Sequence, residues 1–468
     1  MCRNASSNTY PKMELPRPFV DQMVSQLGAD EAAALCRALD SEQPVSLRLH
    51  PDRKATFVAR WPLGEAVAWN SEGYYLTERP SFTFDPAFHA GAYYVQEASS
   101  QFVERLLPDD VKGCCLLDLC AAPGGKTTLY SSKVGPEGLV VANEIDRKRA
   151  LTLVDNVRKW GVGNVAVTST DADHLSQLEG WFDVVAVDAP CSGEGMFRKD
   201  EGARTEWSEQ HVSLCAMRQD EILEAAWRAL RPGGRLIYST CTFNRNEDEG
   251  SIERLLAKIG DEAVEAPAVS VEENWGVVAA RVGVAQTFRF MPHKARGEGF
   301  FAAVLCKSEE ADKGRLPRPK RKVVTPVDKQ TRAELARWVK HPEQLRFVVA
   351  GEFCYGWPEA QAEAMKLLSE LLPVIYSGVA MGQLFKGKLK PEQALAHYVG
   401  LERGVVAQAE LPYDEAIRYL RREEPAVGFF GDGINLVCHE GLALGFAKRI
   451  GARINNMYPN ALRILKQA

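Results

Sequence analysis

Two cysteines directly follow apolar runs that resemble strands, where a thiol can reach a substrate. Cys191 stands in the segment VDAPCSGEG, three residues after Asp188, and Cys241 stands in YSTCT. A thiolate adds reversibly to an electron-poor ring carbon, and carbon 5 of cytosine becomes nucleophilic only after such an addition at carbon 6. Asp188 is expected to act as the proton partner of ring nitrogen N3. These residues are therefore suited to covalent chemistry on a cytosine ring.

Each cysteine taken singly is better explained by packing, because cysteine is among the residue types most often buried. The pair favours the chemical interpretation, since both strand ends are expected to open on the cleft that holds Asp188. After carbon 5 has been modified, a base must take its proton and the first thiol must leave. A second cysteine near the ring has a task in that release.

A glycine-rich turn, DLCAAPGGKT at residues 118–127, follows the first predicted strand and opens a helix. Backbone amides from Ala122 to Lys126 can approach a ligand there, because glycine removes the side chain that would block it. The turn has neither the spacing of a P-loop nor that of the dinucleotide motif, and it contains Pro123. It therefore predicts a nucleoside site but argues against an NAD-dependent oxidoreductase.

Carboxylates follow the next strands. Glu144 ends the second predicted strand about 20 residues after the turn, where a ribose diol accepts two hydrogen bonds. Asp171 follows the third strand, where it either meets an adenine amino group or caps a helix. With Asp188 after the fourth strand, the three carboxylates fit a nucleoside that has a free diol and no pyrophosphate. S-adenosylmethionine fits this pattern better than NAD.

The elements that position these residues form an alternating pattern. Apolar strand-like runs separated by longer helical stretches predict an α/β fold with a mostly parallel sheet and helices on both faces. Ligands of such sheets bind at the carboxyl ends of the strands, where the residues above fall. The predicted strands are 114–119, 139–143, 165–169, 182–188, 235–239 and 300–307.

The flanking regions have other patterns. Residues 15–39 carry apolar side chains at helical spacing, whereas 44–49 and 55–61 alternate like strands. Residues 313–322 contain six basic residues and two prolines, which predicts a solvated linker, and a mixture of strands and short helices follows.

Composition sets the broad class. With 468 residues, 46% hydrophobic and 25% charged, the chain is expected to fold into two or three domains. No apolar run could span a bilayer, and the eleven cysteines show no C-x-x-C pair, so we expect a cytoplasmic protein without membrane, disulfide or metal. The net charge is −5, but residues 311–468 carry +7 and the first 310 carry −12, which suits an anionic partner at the C-terminal end.

The motifs DLCAAPGGKT, DAPCSGEG and STCT, in this order, resemble the Nop/Sun family of RNA cytosine-C5 methyltransferases. The resemblance implies a Rossmann-like class I methyltransferase core, S-adenosylmethionine as cofactor and RNA as substrate. It implies that Cys241 is the nucleophile, that Cys191 assists product release, and that Asp188 lies near both cofactor and cytosine. The implied cofactor contacts are Cys120, Ala121, Ala122, Pro123, Gly124, Gly125, Lys126, Glu144, Asp171 and Asp188.

The resemblance extends beyond the core. Arg48 and the stretch 94–99 are similar to the family, although His50 stands where many relatives have asparagine, which puts the local RNA contact in doubt. Arg289 and His293 either line the cleft or hold a structural turn. The C-terminal region resembles bacterial members that modify 16S rRNA of the small ribosomal subunit and carry a PUA-like RNA-binding module. Basic residues there either neutralise phosphates or form solvated surface: Lys386, Lys388, Lys390, Lys448, Arg449 and Arg453.

The resulting domain prediction has four parts. Residues 1–107 form an N-terminal RNA-binding accessory module and 108–308 the methyltransferase domain, followed by a basic linker at 309–330 and a PUA-like α+β region at 331–468. Alternatives are a tRNA cytosine-C5 methyltransferase, a non-catalytic ribosome-assembly factor, and a DNA methyltransferase that would use Cys191 as nucleophile. The oligomeric state is not predicted.

Overall fold

The computed structural model of the chain describes residues 13–57, 59–319 and 322–466. The first twelve residues of the predicted accessory module and two basic residues of the predicted linker, Lys320 and Arg321, lie outside the described residues. The whole molecule is built around one large mixed sheet, which three smaller sheets flank.

The N-terminal part begins with two helices whose apolar sides are buried, as the helical spacing predicts. A four-stranded antiparallel sheet of order β2-β3-β1-β4 follows. The elements are α1 (Arg17–Leu27), α2 (Ala29–Leu39), β1 (Val45–Leu49), β2 (Leu63–Ala66), β3 (Gly73–Leu76), α3 (Pro86–His89) and β4 (Tyr93–Tyr94).

The strand predicted at 55–61 is wrong. Residues 51–56 form turns that begin at His50, whose carbonyl oxygen accepts hydrogen bonds from the amides of Arg53 and Lys54. The guanidinium of Arg53 donates to the carbonyl oxygens of Ala90, Gly91 and Lys159. These tertiary bonds fix a turn where the local alternation of side chains favours a strand.

The core alternates strands and helices as predicted. Its elements are β5 (Cys115–Asp118), α4 (Gly125–Val134), β6 (Leu139–Asn143), α5 (Arg147–Trp160), β7 (Val165–Thr168), α6 (Ala172–Leu175), β8 (Phe182–Asp188), α7 (Glu201–Glu206), α8 (Glu209–Ala229), β9 (Leu230–Thr240), α9 (Glu249–Ile259), β10 (Ala263–Val264), β11 (Val278–Val282), β12 (Ala285–Phe290) and β13 (Phe300–Lys307).

Strands β5 to β9 are parallel and lie in the order β9-β8-β5-β6-β7, while β13 and β12 extend the β9 side in antiparallel orientation. Alternate side chains of each strand enter two separate hydrophobic cores, one under α4 and α5 and the other under α6, α8 and α9. The α/β class with helices on both faces is confirmed. All five parallel strands end on the same edge, which places the predicted site residues together.

The C-terminal part contains a five-stranded and a four-stranded sheet. Its elements are β14 (Thr325–Pro326), α10 (Lys329–Ala336), β15 (Leu345–Ala350), β16 (Phe353–Pro358), α11 (Ala362–Leu371), β17 (Val374–Ser377), β18 (Val379–Phe385), β19 (Lys388–Pro391), α12 (Gln393–His397), β20 (Ala407–Glu410), α13 (Tyr413–Leu420), β21 (Gly433–His439), β22 (Leu442–Ile450) and β23 (Arg453–Asn456).

One C-terminal strand belongs to the core sheet. β17 pairs antiparallel with β7, the last parallel strand, and so covers that edge of the sheet. β14 and the start of α10 fall within residues 309–330, where a linker is predicted, and β14 pairs with β15. The C-terminal region is therefore joined to the core by sheet hydrogen bonds as well as by the chain.

Among the described residues, no helix combines the length and apolar character that crossing a membrane requires. No group of three or more His, Cys, Asp or Glu side chains within 13–57, 59–319 and 322–466 is placed to hold a metal ion.

Candidate active site

The two cysteines lie together at the carboxyl ends of β8 and β9. Sγ of Cys191 is 3.3 Å from Sγ of Cys241, and both side chains are half-buried. Register pairing brings Asp188 next to Ser239, so the two strands end level with each other. The predicted convergence of Cys191, Cys241 and Asp188 at one strand edge is present in the structure.

The two thiols have opposite pKa shifts. The hydrogen bond from Cys191 is the main cause that lowers the pKa of Cys241 below that of an ordinary thiol, and the charges of Lys126 and Lys199 lower it further against the opposing effect of burial. The same bond, together with burial, raises the pKa of Cys191 well above the ordinary value. The pair therefore favours a thiolate on Cys241 that accepts a hydrogen bond from the neutral thiol of Cys191.

A buried glutamate holds the loop that carries Cys191. One carboxylate oxygen of Glu247 accepts hydrogen bonds from the amide of Ser192, at 2.8 Å, and from Nε2 of Gln219, at 3.1 Å. The hydroxyl of Ser192 donates to its other oxygen. Burial raises the pKa of Glu247 to about 7. Glu247 thus ties the loop after β8 to the loop after β9.

A second buried glutamate, Glu194, fixes the other side of the same loops. Its carboxylate accepts hydrogen bonds from Nε1 of Trp207 and the amide of Phe243, both at 3.0 Å. The amide of Gly195 donates to the carbonyl oxygen of Cys241 at 2.8 Å. A Cβ atom on Gly195 would lie 2.6 Å from that oxygen, so only glycine permits this approach.

Asp188 is paired with a lysine of the glycine-rich turn. Nζ of Lys126 lies 2.8 Å from its carboxylate, and the hydroxyl of Ser239 donates to the other oxygen at 2.9 Å. Asp118, at the end of β5, is fully buried beneath them and accepts a hydrogen bond from Thr127 at 2.6 Å. Burial raises the pKa of Asp118 to about 7. Lys126 therefore connects the turn to the cysteine pair.

The glycine-rich turn is rigidly placed. Gly124 has a φ of 113° and precedes α4, and a Cβ atom there would meet Cδ1 of Leu153 at 3.0 Å. The carbonyl oxygens of Ala122 and Pro123 accept hydrogen bonds from side chains of α5, at 3.0 Å from Arg149 and 2.8 Å from Asn156. The carbonyl ends of the turn are thus held by the protein, while the amides of the first α4 turn remain available to a ligand.

Glu144 and Asp171 differ in their surroundings. Glu144 is buried, with one oxygen 3.0 Å from the amide of Asp146 and the other 3.4 Å from the guanidinium of Arg149. Asp171 is exposed and caps α6 by accepting a hydrogen bond from the amide of His174 at 2.7 Å. A buried carboxylate at the end of β6, level with the glycine-rich turn, fits the ribose of S-adenosylmethionine.

Four other residues singled out from the sequence have structural contacts. Arg48 is buried and donates to Gln96, Thr128 and the carbonyl oxygen of Gly125. His50 is buried against Trp160, and burial lowers its pKa to about 2. Arg289 pairs with Asp248 and Glu249, and His293 lies 3.9 Å from Glu31.

Beside the cysteine loops a groove of about 740 Å³ separates the N-terminal part from the core. Arg79 and Glu78 line its N-terminal side, and Lys199 and Arg296 line the core side. Lys199 is exposed and its charge acts on Cys241. Lys199 therefore lies on the groove wall and acts electrostatically on the reactive pair.

Two functional positions were missed by the sequence analysis. Glu194 belongs to the motif that contains Cys191, and Glu247 follows the motif that contains Cys241, so their proximity to the cysteines in the chain was a usable signal. No signal in the sequence indicated that these two glutamates are buried, because glutamate is seldom fully buried unless it is partnered.

Comparison with known proteins yields three family models. The model of the 16S rRNA methyltransferase RsmB/F matches residues 106–306, that of the N-terminal domain of the 16S rRNA methyltransferase RsmF matches 15–98, and that of the methyltransferase RsmF PUA domain matches 407–464. The expected methyltransferase core, its cofactor S-adenosylmethionine and the PUA-like C-terminal region are confirmed.

Relatives of the whole chain and of its core agree with these models. A protein named ribosomal RNA small subunit methyltransferase F from Aliivibrio fischeri (strain MJ11) is 30% identical, and the match covers 96% of this chain and 97% of that protein. The protein of the same name from Aeromonas salmonicida is 31% identical, and the match covers 97% of this chain and 98% of that protein. A methyltransferase homologue from Pyrococcus horikoshii is 26% identical with a TM-score of 0.52, covering 62% of this chain and 95% of its own. The structure of NSun6 from the same organism, solved with SFG, is 20% identical and has a TM-score of 0.51. The match covers 64% of this chain and 99% of NSun6, and it shows a shared fold.

Proposed function

We propose, because the chain belongs to the family of the ribosomal RNA small subunit methyltransferases F, that it methylates carbon 5 of a cytosine in 16S rRNA. The observation that carries this proposal is the pair of thiols 3.3 Å apart at the ends of β8 and β9, with Asp188 and Lys126 beside them. Many reactions need only one thiol. Methylation of cytosine carbon 5 uses one thiol to attack carbon 6, and a second thiol assists release of the methylated product.

The first step is addition. The Sγ thiolate of Cys241 forms a bond to carbon 6 of the flipped cytosine. The electron pair of the C5–C6 double bond forms a C4–C5 double bond, and the pair of the C4–N3 double bond takes up a proton at N3. Asp188 serves as the proton partner of N3, and Lys126, 2.8 Å from its carboxylate, orients it. When bound, S-adenosylmethionine would supply an electrophilic methyl group to carbon 5, and its sulfonium S–CH3 bond would break to leave S-adenosylhomocysteine.

The second step is elimination. A base takes the proton from carbon 5, the C5–C6 double bond forms again, and the electron pair of the S–C6 bond returns to Sγ of Cys241. The proton on N3 returns to Asp188. The neutral thiol of Cys191 donates a hydrogen bond to that sulfur, so the bond that stabilises the attacking thiolate also stabilises the departing one. This assigns Cys191 to product release.

The cofactor contacts follow from the same edge of the sheet. Residues from Cys120 to Lys126 would hold the methionine and ribose side of the cofactor, Glu144 would accept hydrogen bonds from the ribose diol, and Asp171 would meet the adenine. The groove lined by Arg79, Lys199 and Arg296 carries the RNA strand to the cysteines, because cations there can neutralise phosphates. A base must leave its stack to enter such a site.

The test incubates the purified protein with radiolabelled S-adenosylmethionine and, separately, small ribosomal subunits, deproteinised 16S rRNA and total tRNA. Modified positions are then mapped by bisulfite sequencing. We expect protected cytosine in 16S rRNA. Label in tRNA alone would overturn the substrate, label at a position other than cytosine carbon 5 would overturn the chemistry, and no label would favour a non-catalytic RNA-binding factor.

A further inference from the structure

A cavity of about 710 Å³ lies where the N-terminal part, helix α5 and the C-terminal part meet. We call it the three-part cavity. Its volume is within the range of roughly 300 to 1,000 Å³ that is usual for ligand sites. The lining side chains used below are Phe88, Asn156, Lys159, Lys390, Arg422 and Asn455.

The wall of the three-part cavity is positively charged. It contains four basic residues, of which Lys159, Lys390 and Arg422 are three, and two acidic residues, Asp155 and Glu392. Within the described part of the chain, neither Lys159 nor Lys390 forms an ion pair. Asp155 lies 3.8 Å from Arg158. The cavity therefore offers unpaired cations to an anion.

Lys159 is held in place by an aromatic ring, and the charge of Asp155 acts on it without an ion pair between the two. Its ammonium lies 3.9 Å from the centroid of the Phe88 ring, and its main-chain carbonyl accepts a hydrogen bond from Arg53. Burial lowers the pKa of Lys159 to about 8. A negative ligand beside it would offset the cost of burying this charge.

The remaining surface is suited to nucleotides. Asn455 is exposed on β23, Asn156 projects from α5, and Phe88 presents a partly exposed ring. Amides form hydrogen bonds with the edges of unstacked bases, and aromatic rings stack on their faces. Cations, amides and a ring in one cavity are the combination that single-stranded RNA requires, whereas an acidic peptide needs only the cations.

We infer that the three-part cavity binds a single-stranded segment of the RNA substrate outside the catalytic cleft. This inference rests on the proposed function, which supplies the RNA. Helix α5 packs on β7, whereas the cysteines follow β8 and β9, and β5 and β6 lie between β7 and β8. Strand spacing of about 4.8 Å puts β7 about 14 Å from β8, so the cavity and the cysteines belong to different parts of the sheet.

The cavity also touches the cofactor turn. Nδ2 of Asn156, in the cavity wall, donates to the carbonyl oxygen of Pro123 at 2.8 Å. RNA in the cavity would therefore lie against the same helix that holds the glycine-rich turn. Helix α5 therefore contacts both the cavity and the turn.

The test compares two double variants of the full chain. Lys159→Met with Lys390→Gln removes two cations of the cavity, and Lys329→Gln with Lys366→Gln removes two exposed lysines, on α10 and α11, that do not line it. Binding of deproteinised 16S rRNA is titrated between 50 and 200 mM salt. At physiological salt the cavity variant should bind about tenfold more weakly, and its logarithmic salt slope should fall by about 1.4, since each single-strand phosphate contact contributes about 0.7.

Calorimetric binding of S-adenosylmethionine must be unchanged in both variants, which shows that they are folded. A salt slope of the cavity variant equal to that of the control variant would overturn the inference. The binding assay needs no methyl transfer, so the two proposals fail separately. If the wild type methylates 16S rRNA but the cavity variant has an unchanged salt slope, only the RNA-binding role of the cavity is wrong. If the cavity variant has a reduced slope but the wild type forms no methylated cytosine, only the proposed reaction is wrong.

Discussion

At the ends of β8 and β9, Glu194 and Glu247 are buried and each accepts hydrogen bonds from several neighbours, and buried Asp248 pairs with Arg289. In the three-part cavity, by contrast, Lys159 and Lys390 form no ion pair with any described residue. The first region has its charges satisfied by the protein itself. The second leaves its charges to be satisfied by something else. Satisfied buried charges fix geometry, and unpaired cations at a surface supply affinity for an anion.

The difference separates residues that perform chemistry from residues that hold the substrate. A thiol pair at 3.3 Å requires that its loops do not move, and Glu194 and Glu247 provide that by joining the two loops. An RNA segment, in contrast, must enter and leave, so the cavity cannot be rigidly paired. The predictions below test whether the cysteine edge behaves as the rigid region.

The largest effect is expected for Cys241→Ala. Without the attacking sulfur, carbon 5 of cytosine stays unreactive, and methyl transfer to RNA should fall by several orders of magnitude. Binding of S-adenosylmethionine, measured by calorimetry, should be retained. Cys36→Ala, on α2, is the matched control and should keep full activity. Full activity of Cys241→Ala would remove that residue from the mechanism.

Cys191→Ala should leave addition possible but impair release, so that RNA accumulates on the protein as a band resistant to denaturant. Because the hydrogen bond from Cys191 is the main cause of the lowered pKa of Cys241, its loss should raise that pKa. Alkylation of Cys241 by iodoacetamide, followed by mass spectrometry across pH, should then shift to higher pH. An unshifted alkylation profile without trapped RNA would leave Cys191 with a packing role.

Glu247→Gln tests the buried carboxylates through stability. Burial raises the pKa of folded Glu247 to about 7 from an ordinary value of 4.5, so between these pH values the folded chain holds a proton that the unfolded chain lacks. Stability should therefore fall as pH rises from about 4.5 to about 7. The glutamine cannot ionise, and its variant should lose about 3 kcal/mol of this pH dependence in urea unfolding.

Exposed Glu253 on α9 supplies the control, since Glu253→Gln should preserve the pH dependence of the wild type. Asp118, whose pKa burial also raises to about 7, contributes in the same direction and remains in both variants. Equal pH profiles for the two glutamine variants would contradict the buried, proton-holding state of Glu247.

The smallest effect is expected for Asp171→Ala. Loss of the α6 cap should cost about 1 kcal/mol of unfolding free energy, and loss of the adenine contact should weaken S-adenosylmethionine binding a few-fold. Asp328 caps α10 in the same way, with 2.7 Å to the amide of Thr331, and lies in the C-terminal part. Asp328→Ala should therefore cost similar stability with unchanged cofactor affinity. Equal cofactor affinity in both variants would reduce Asp171 to a helix cap.

The core was predictable because its signal is local. Buried parallel strands are short apolar runs between turns, and the predicted strands 139–143, 182–188 and 300–307 agree with β6, β8 and β13 residue for residue. The position of Cys191, Cys241 and Asp188 at one edge follows from the parallel order alone. The Sγ–Sγ distance and the direction of each pKa shift depend on tertiary contacts, which no local pattern contains.

The features that the sequence did not predict also depend on tertiary contacts. The turn at 51–56 forms because Arg53 bonds to carbonyl groups distant in the chain, against the alternation of its own segment. The sequence VIYS of β17 indicates a strand but not which sheet it joins. Asp171, left open between cap and cofactor contact, does cap α6, while its contact with adenine stays a prediction.

The attachment of β17 to β7 also sets an order of events during synthesis. The chain completes β7 roughly 200 residues before it completes β17. At about 5 to 20 residues per second, translation takes about 10 to 40 s to cover that distance. During this interval the edge of the core sheet is open to pairing with another chain. A nascent chain stalled between the two strands is therefore the form of this protein most exposed to aggregation.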